Sequence, residues 1–207
     1  MASSVILFHH IPIDIPRPQI YKRLGFRKDM TKLSDIRRKE IEAYIDDARS
    51  LIRLQGMGRR LKIRDIRDAK IYLSNDQVLS SKNLAAFIAG SAEIVLMGAT
   101  AGHEITEAIR VDAAEDRMTR GVVLDAAASE TVDHALDWIM DYFGRHLLRE
   151  GKTLMKKRFS AGYGDLLLES QRIMYELLEM ERIGVELTKS CILVPEKSVT
   201  AVTGIMS

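Results

Sequence analysis

The segment AEIVLMGATAGHEITEAIR, residues 92–110, constrains the fold of this chain more than any other. Its first half is an apolar run that predicts a β-strand. Gly98 and Gly102 then predict a turn, and the residues after the turn predict a helix. A strand that leads so directly into a helix indicates a domain that contains both kinds of element.

Other parts of the chain extend this pattern. A long amphipathic helix is predicted from Ser34, its N-cap, to about Gln55, with Gly56 as its end. Its apolar stripe comprises Ile36, Ile41, Tyr44, Ile45, Ala48, Leu51 and Ile52. Shorter helices are predicted within PRPQIYKRLG, from about Ser81, before Gly121, from Val132 to Leu147 and around Ile173 to Leu178.

Strands are predicted at SVILFHHIPIDI, at RLKIRDIRDAKIYL, at VVLDAAASE and, as a pair around a proline turn, at CILVPEKSVTAVTGI. The cleanest division of the chain lies near Gly56–Arg60. It predicts an N-terminal strand and helical segment, residues 1–58, followed by an α/β body, residues 59–207.

The composition excludes several classes of protein and of site. The net charge is only +2, from 31 basic and 29 acidic residues, which argues against nucleic acid or a membrane as a partner. Cys191 is the only cysteine of the sequence, so an internal disulfide and a multi-cysteine metal site are excluded. The N-terminus has no cationic start, and no apolar stretch reaches membrane-spanning length. We therefore expect a cytoplasmic protein.

Gly98 and Gly102 also suggest a phosphate site. Together with Asp125, predicted at the end of the next strand, they resemble a dinucleotide-binding turn, in which a helix N-terminus contacts phosphate. The third glycine of that motif is missing, and no basic residue flanks the turn. A tight strand-to-helix turn is the favoured interpretation.

The remaining reactive residues form no familiar catalytic or metal-binding pattern. His9 and His10 are adjacent and would point to opposite faces of a strand, and the other histidines lack partners at metal-ligand spacing. Ser129 and Ser160 lie in no nucleophile-elbow motif. The basic run GMGRRLKIR favours a solvated strand edge protected by charge over an acidic partner surface.

The stretch KKRFSAGYGD, residues 156–165, joins two predicted helical segments and combines unusual residues. Gly162 permits a positive φ or a close backbone approach, Tyr163 offers an aromatic face and a hydroxyl, and Arg158 offers a planar fork for a carboxylate. Together they suit a zwitterionic ligand with a flat ring. They fit equally well an ordered loop whose arginine binds backbone carbonyls.

RFSAGYGD resembles the R-x-S-P-G-Y signature of the activation domain of cobalamin-dependent methionine synthase, which binds S-adenosylmethionine (AdoMet). Further blocks are similar to small stand-alone members of that family and occur in the family's order. They are IYKRLGFRK (R-Y-L-G-Y), LMGATAGHEI (A-T-x-G), VVLDAAASETVD (L-D-A-x-G-S-E) and ILVPEKSVTAVTGI (P-x-x-S-V-S, a closing hairpin). The resemblance implies an α+β fold with a mixed, largely antiparallel sheet flanked by helices.

The resemblance also implies a function. In that family the domain presents AdoMet while flavodoxin supplies an electron, so that inactive cob(II)alamin is remethylated. The chain has no D-x-H-x-x-G cobalamin motif and no cysteine set for zinc. It would therefore be a stand-alone reductive-activation subunit. Its partners would be a cobalamin-binding methionine synthase or corrinoid protein, and flavodoxin or another electron donor.

The family's ligand site is carried over residue by residue. The ligand loop would comprise Arg158, Phe159, Ser160, Ala161, Gly162 and Tyr163. Its arginine would bind the methionine carboxylate of AdoMet, while the backbone and the tyrosine would shape the loop. An acid on the preceding helix, Glu130 or Asp133, and an N-terminal aspartate, Asp14, would add further contacts.

The chain departs from the family's pattern in three ways. Ala161 replaces the family's proline, the sequence ends soon after Gly204, where longer members continue with a ligand-contacting tyrosine, and it is shorter than the enzyme-fused domain. Two alternatives stay open. One is a scaffold that docks on a corrinoid protein without binding AdoMet, and the other is a nucleotide-dependent enzyme that uses Gly98 and Gly102.

Overall fold

The structure, a computed structural model, describes residues 4–26 and 33–206, which contain both helices and strands. The helices are α1 Arg17–Arg23, α2 Asp35–Leu51, α3 Lys82–Phe87, α4 His103–Ala114, α5 Met118–Leu148 and α6 Ser170–Leu178, with a 3₁₀ turn at Met180–Ile183. The strands are β1 Ile6–Phe8, β2 Gln55–Arg67, β3 Lys70–Leu73, β4 Val78–Ser80, β5 Glu93–Thr100, β6 Thr153–Leu154, β7 Glu186–Leu187, β8 Leu193–Val194 and β9 Ser198–Met206. The last two residues of the IYKRLGFRK block lie outside the described residues.

The main sheet has the strand order β4-β3-β2-β5-β9-β6, and β1 also pairs with β2. Residues 55–62 of β2 pair with β5 on one side, whereas residues 56–58 and 63–67 pair with β1 and β3 on the other. All strand pairs between described residues are antiparallel. The expected α+β fold is confirmed. The expected closing hairpin is wrong, because β8 pairs with β7 whereas β9 pairs with β5 and β6.

Strand β5 is buried along its whole length, between helices on both faces of the sheet. Val95 and Met97 lie in the core beneath α2, α4 and α5. Ile94 and Leu96 lie in the opposite core, beneath α3 and α6. Successive side chains of a strand point to opposite faces, so the apolar run of β5 supplies both cores.

Helix α5 packs closely on β2 at two glycines. A Cβ atom at Gly58 would lie 2.3 Å from a ring carbon of Phe143, and one at Gly56 would lie 2.9 Å from Ile139 Cδ1. Only glycine leaves room for this approach. The predicted role of Gly56 as a helix end is therefore wrong: α2 ends at Leu51 and Gly56 lies in β2. The predicted division at residue 58 also falls inside β2.

The segment VVLDAAASE, predicted as a strand, belongs to α5, which is one helix of 31 residues. Its three consecutive alanines favour a helix, since alanine has the highest helix propensity. The predicted helix end at Gly121 is wrong as well. A Cβ atom there would lie 3.3 Å from Asp112 Cβ on α4, so this glycine lies at a close contact between the two helices.

A further expectation about exposure is wrong. Ile36, assigned to the apolar stripe of α2, is 80% exposed. Within the basic run of β2, residues 59–62 pair with β5 on one side, and among the described residues no strand pairs with them on the other, so this part of β2 is a local edge. Arg60 is not simply solvated there. Arg60 instead pairs with Glu93 and with Glu150, whose carboxylate oxygen lies 2.7 Å from Arg60 Nη1. Lys152 Nζ lies 2.6 Å from Glu93 Oε1, so this acid has two cationic partners.

Candidate functional site

The ligand loop, residues 158–163, runs along the β9 edge of the sheet. The backbone N–H of Phe159 donates to the carbonyl of Val202, and the N–H of Val202 donates back, both at 2.8 Å. The hydroxyl of Thr203 donates to the carbonyl of Lys157 at 2.7 Å. These bonds fix the start of the loop to the sheet as an irregular continuation of β6.

The loop then makes a compact turn around Gly162. This residue has φ +84°, the left-handed region that glycine adopts without steric cost. Its N–H donates to the carbonyl of Leu166 at 2.8 Å, and the N–H of Leu166 donates to the carbonyl of Tyr163 at 3.1 Å. The side chain of Tyr163 is exposed. An aromatic face is thus presented to solvent on an ordered turn.

Asp165 fastens the far end of the turn to α3. Its carboxylate accepts hydrogen bonds from the Ser81 hydroxyl at 2.5 Å and from the backbone N–H groups of Lys82 and Asn83 at 2.8 and 3.2 Å. The hydrogen bond from Ser81 is the main cause that lowers the pKa of Asp165. No role was predicted for this aspartate from the sequence. It lies 83 positions from Lys82, so no local pattern signalled the contact.

Arg158 reaches from the loop to α5. Its Nη1 donates to the carboxylate of Asp137, while Nη2 lies 3.2 Å from the carbonyl oxygen and 3.3 Å from Oδ1 of Asp133. The side chain of Arg158 is 22% exposed. The guanidinium therefore has three oxygen partners on a neighbouring helix. Only one of them is the backbone carbonyl that an ordinary loop arginine would bind.

The acids of α5 lie on one face of the helix. Glu130, Asp133 and Asp137 are spaced by three and four residues, which places them side by side. Of the two acids left open by the sequence, Asp133 contacts Arg158. Glu130 instead pairs with Arg23 on α1 at 3.0 Å. Asp137 was missed, although it lies four residues after Asp133 within the helix predicted from Val132 to Leu147.

Asp14 lies at a separate cavity of about 750 Å³. Its walls are the segment after β1, the end of α2 with the residues that follow it, and Thr131 of α5, the neighbour of Glu130. No contact among the described residues joins Asp14 to Arg158. A second cavity, of about 540 Å³, is lined by Asp137, by residues that follow it on α5, including Asp141 and Arg145, and by residues 153–156. Asp137 therefore contacts Arg158 and borders this second cavity.

The dinucleotide interpretation of the glycine turn is wrong. Gly98 lies inside β5, and only Gly102, with φ +88°, forms the turn before α4. Asp125 ends no strand; it lies in α5 and pairs with Lys197 at 2.5 Å. The turn thus lacks the acid-bearing strand that a ribose site needs.

The described residues include no group of three His, Cys, Asp or Glu side chains placed to bind a metal ion. Within residues 4–26 and 33–206, no helix is both long and apolar enough to cross a membrane. Cys191 is buried, as expected of a small hydrophobic residue.

Comparison with solved structures gives a clear match of fold. The MetH reactivation domain, crystallised with S-adenosylhomocysteine (AdoHcy) bound, superposes with a TM-score of 0.63 over 97% of this chain and 78% of that one. The two chains share a fold. Their sequence identity is 13%, so the likeness concerns the fold alone. No protein-family model matches the chain, and no curated protein matches its sequence.

Proposed function

We propose that this chain is a stand-alone reductive-activation subunit that binds AdoMet and presents it to a corrinoid held on another polypeptide. The observation that carries the proposal is the RFSAGYGD loop, attached to β9, α3 and α5 in a chain that has the fold of a reactivation domain along 97% of its length. The partner would be a cobalamin-dependent methionine synthase or a related corrinoid methyltransferase. Flavodoxin or another donor would supply the electron.

The chemistry of the loop supports an AdoMet-type ligand. Arg158 provides a planar pair of donors for the ligand's carboxylate. Asp133, which contacts that arginine, provides an acceptor for the ligand's ammonium. Tyr163 provides an exposed ring face on an ordered turn. AdoMet contains all three complementary groups: a carboxylate, an ammonium and a purine.

Calorimetric titration tests the binding step. AdoHcy and AdoMet, each titrated into the purified chain, should bind saturably with one site per chain. The activation step is tested by mixing the chain with AdoMet, a reduced electron donor and a corrinoid enzyme in the cob(II)alamin state. The absorbance of methylcobalamin should then recover faster than in a mixture without the chain.

The second candidate is a scaffold that docks on a corrinoid protein without binding AdoMet. It is favoured by the carboxylates that already surround Arg158 and by Ala161, which replaces the family's proline. No heat and no thermal shift with millimolar AdoHcy, combined with retention of the purified corrinoid protein on the immobilised chain, would establish the scaffold and refute the AdoMet site.

A further inference from the structure

The guanidinium of Arg158 is occupied before any ligand arrives. Nη1 donates to Asp137, and Nη2 approaches two oxygens of Asp133. An arginine binds a carboxylate through parallel hydrogen bonds either from Nη1 and Nη2 or from Nε and one Nη. A ligand carboxylate held in either way therefore uses at least one nitrogen that already donates to α5.

The acids that occupy Arg158 are easily displaced. The side chains of Asp133 and Asp137 are 53% and 56% exposed, so both carboxylates regain water when they leave the arginine. Ion pairs of such exposed groups contribute little to folding stability. Asp137 also borders the second cavity, and its carboxylate can turn towards the solvent there. The pair with Asp137 is thus poorly explained as a support of the fold.

We propose that Asp137 sets the affinity and the selectivity of the Arg158 site by competing with the ligand's carboxylate. This inference rests on the proposed function, because it assumes that Arg158 binds such a carboxylate. A ligand with a carboxylate displaces Asp137 and gains the paired hydrogen bonds in exchange. A ligand that lacks this group leaves the ion pair intact and gains nothing from Arg158.

The test compares the full chain with Asp137→Asn and with Asp141→Asn. The control removes the same charge one turn further along α5, at an acid that also lines the second cavity. The probes are AdoHcy, whose amino-acid end has a carboxylate and no net charge, and 5′-methylthioadenosine, which lacks that end. Asp137→Asn should raise the affinity for AdoHcy by about three- to fivefold, since a competing exposed ion pair is removed. The affinity of Asp137→Asn for 5′-methylthioadenosine should stay within about twofold of that of the unmodified chain. Asp141→Asn should bind both AdoHcy and 5′-methylthioadenosine within about twofold of the unmodified chain.

Each possible outcome either supports or overturns the competition by Asp137. A rise in AdoHcy affinity in Asp137→Asn alone supports the competition. Unchanged or weaker AdoHcy binding by Asp137→Asn overturns it, as does an equal rise in Asp141→Asn or for 5′-methylthioadenosine. In those cases the proposed function is still supported if the unmodified chain binds AdoHcy. If none of the three proteins binds AdoHcy, the inference and the proposed function are both wrong. A melting curve of each variant confirms that the exposed substitutions leave the fold intact.

Discussion

The substitution Arg158→Ala removes the guanidinium that connects the loop to α5. Hydrogen bonds to an ionised ligand carboxylate contribute about 1.5–3 kcal/mol. The structure reduces that gain, because the ligand must first displace the carboxylates of α5, and exposed pairs of this kind contribute up to about 1 kcal/mol. The net loss of binding free energy should therefore be about 1–2 kcal/mol. That corresponds to a five- to thirtyfold weaker affinity for AdoHcy, roughly.

Calorimetry and thermal melting on the same samples separate the two roles of Arg158. Arg158→Lys should recover little of the affinity, since an ammonium cannot form the paired hydrogen bonds of a guanidinium. Arg38→Ala, which removes an exposed arginine of α2, is the control for the change in charge. The reasoning is refuted if ligand-free Arg158→Ala melts much lower than the unmodified chain while its folded fraction binds AdoHcy as tightly as before.

Two further predictions concern the fold that supports the loop. Gly58→Ala should lower the free energy of unfolding by about 3 kcal/mol, because its Cβ would overlap the ring of Phe143. Gly144→Ala, which has open space at its Cβ, should raise the free energy of unfolding by roughly 0.5–1 kcal/mol. Urea unfolding measures both changes. The hydrogen bond from its arginine partner lowers the pKa of Glu93 from 4.5 to about 2. A depressed pKa stabilises the folded state above pH 4.5, and this contribution is lost as the pH falls towards 2. Glu93→Gln should therefore cost roughly 3 kcal/mol at pH 7 and flatten the pH dependence of unfolding in that acidic range; an unchanged profile would contradict the assignment.

The sequence predicted the elements whose signals are local. Ser34 accepts a hydrogen bond at the start of α2, as its predicted N-cap position indicated, and α3 begins directly after Ser81, as expected. Strand β5 and the helix after it lie where the apolar run and the glycine predicted them. The strand prediction for residues 122–130 was wrong because a short apolar run fits a strand or a buried helix equally well. Only tertiary packing against the sheet decides between them.

The surroundings of Arg158 could not be predicted in the same way. The predicted helix from Val132 to Leu147 already contained Asp133 and Asp137, so the error at residues 122–130 did not conceal them. Their contacts with Arg158 join residues 21 and 25 positions apart in the sequence, and no local pattern specifies such a pairing. The surroundings of Asp14 could not be predicted either, because its cavity is formed by segments that come together only on folding.

The close packing of α5 on the glycines of β2 restricts how the protein can respond to a ligand. The helix is roughly 45 Å long at 1.5 Å per residue, and it packs against α2, α4 and the sheet. Any shift of its backbone away from the loop would uncover Ile139 and Phe143, which are buried. Adaptation is left to side chains, above all to Asp137, whose side chain is exposed; rotamers of exposed side chains interconvert within picoseconds to nanoseconds. The occupied arginine thus weakens binding at equilibrium but introduces no slow conformational step before the ligand is bound.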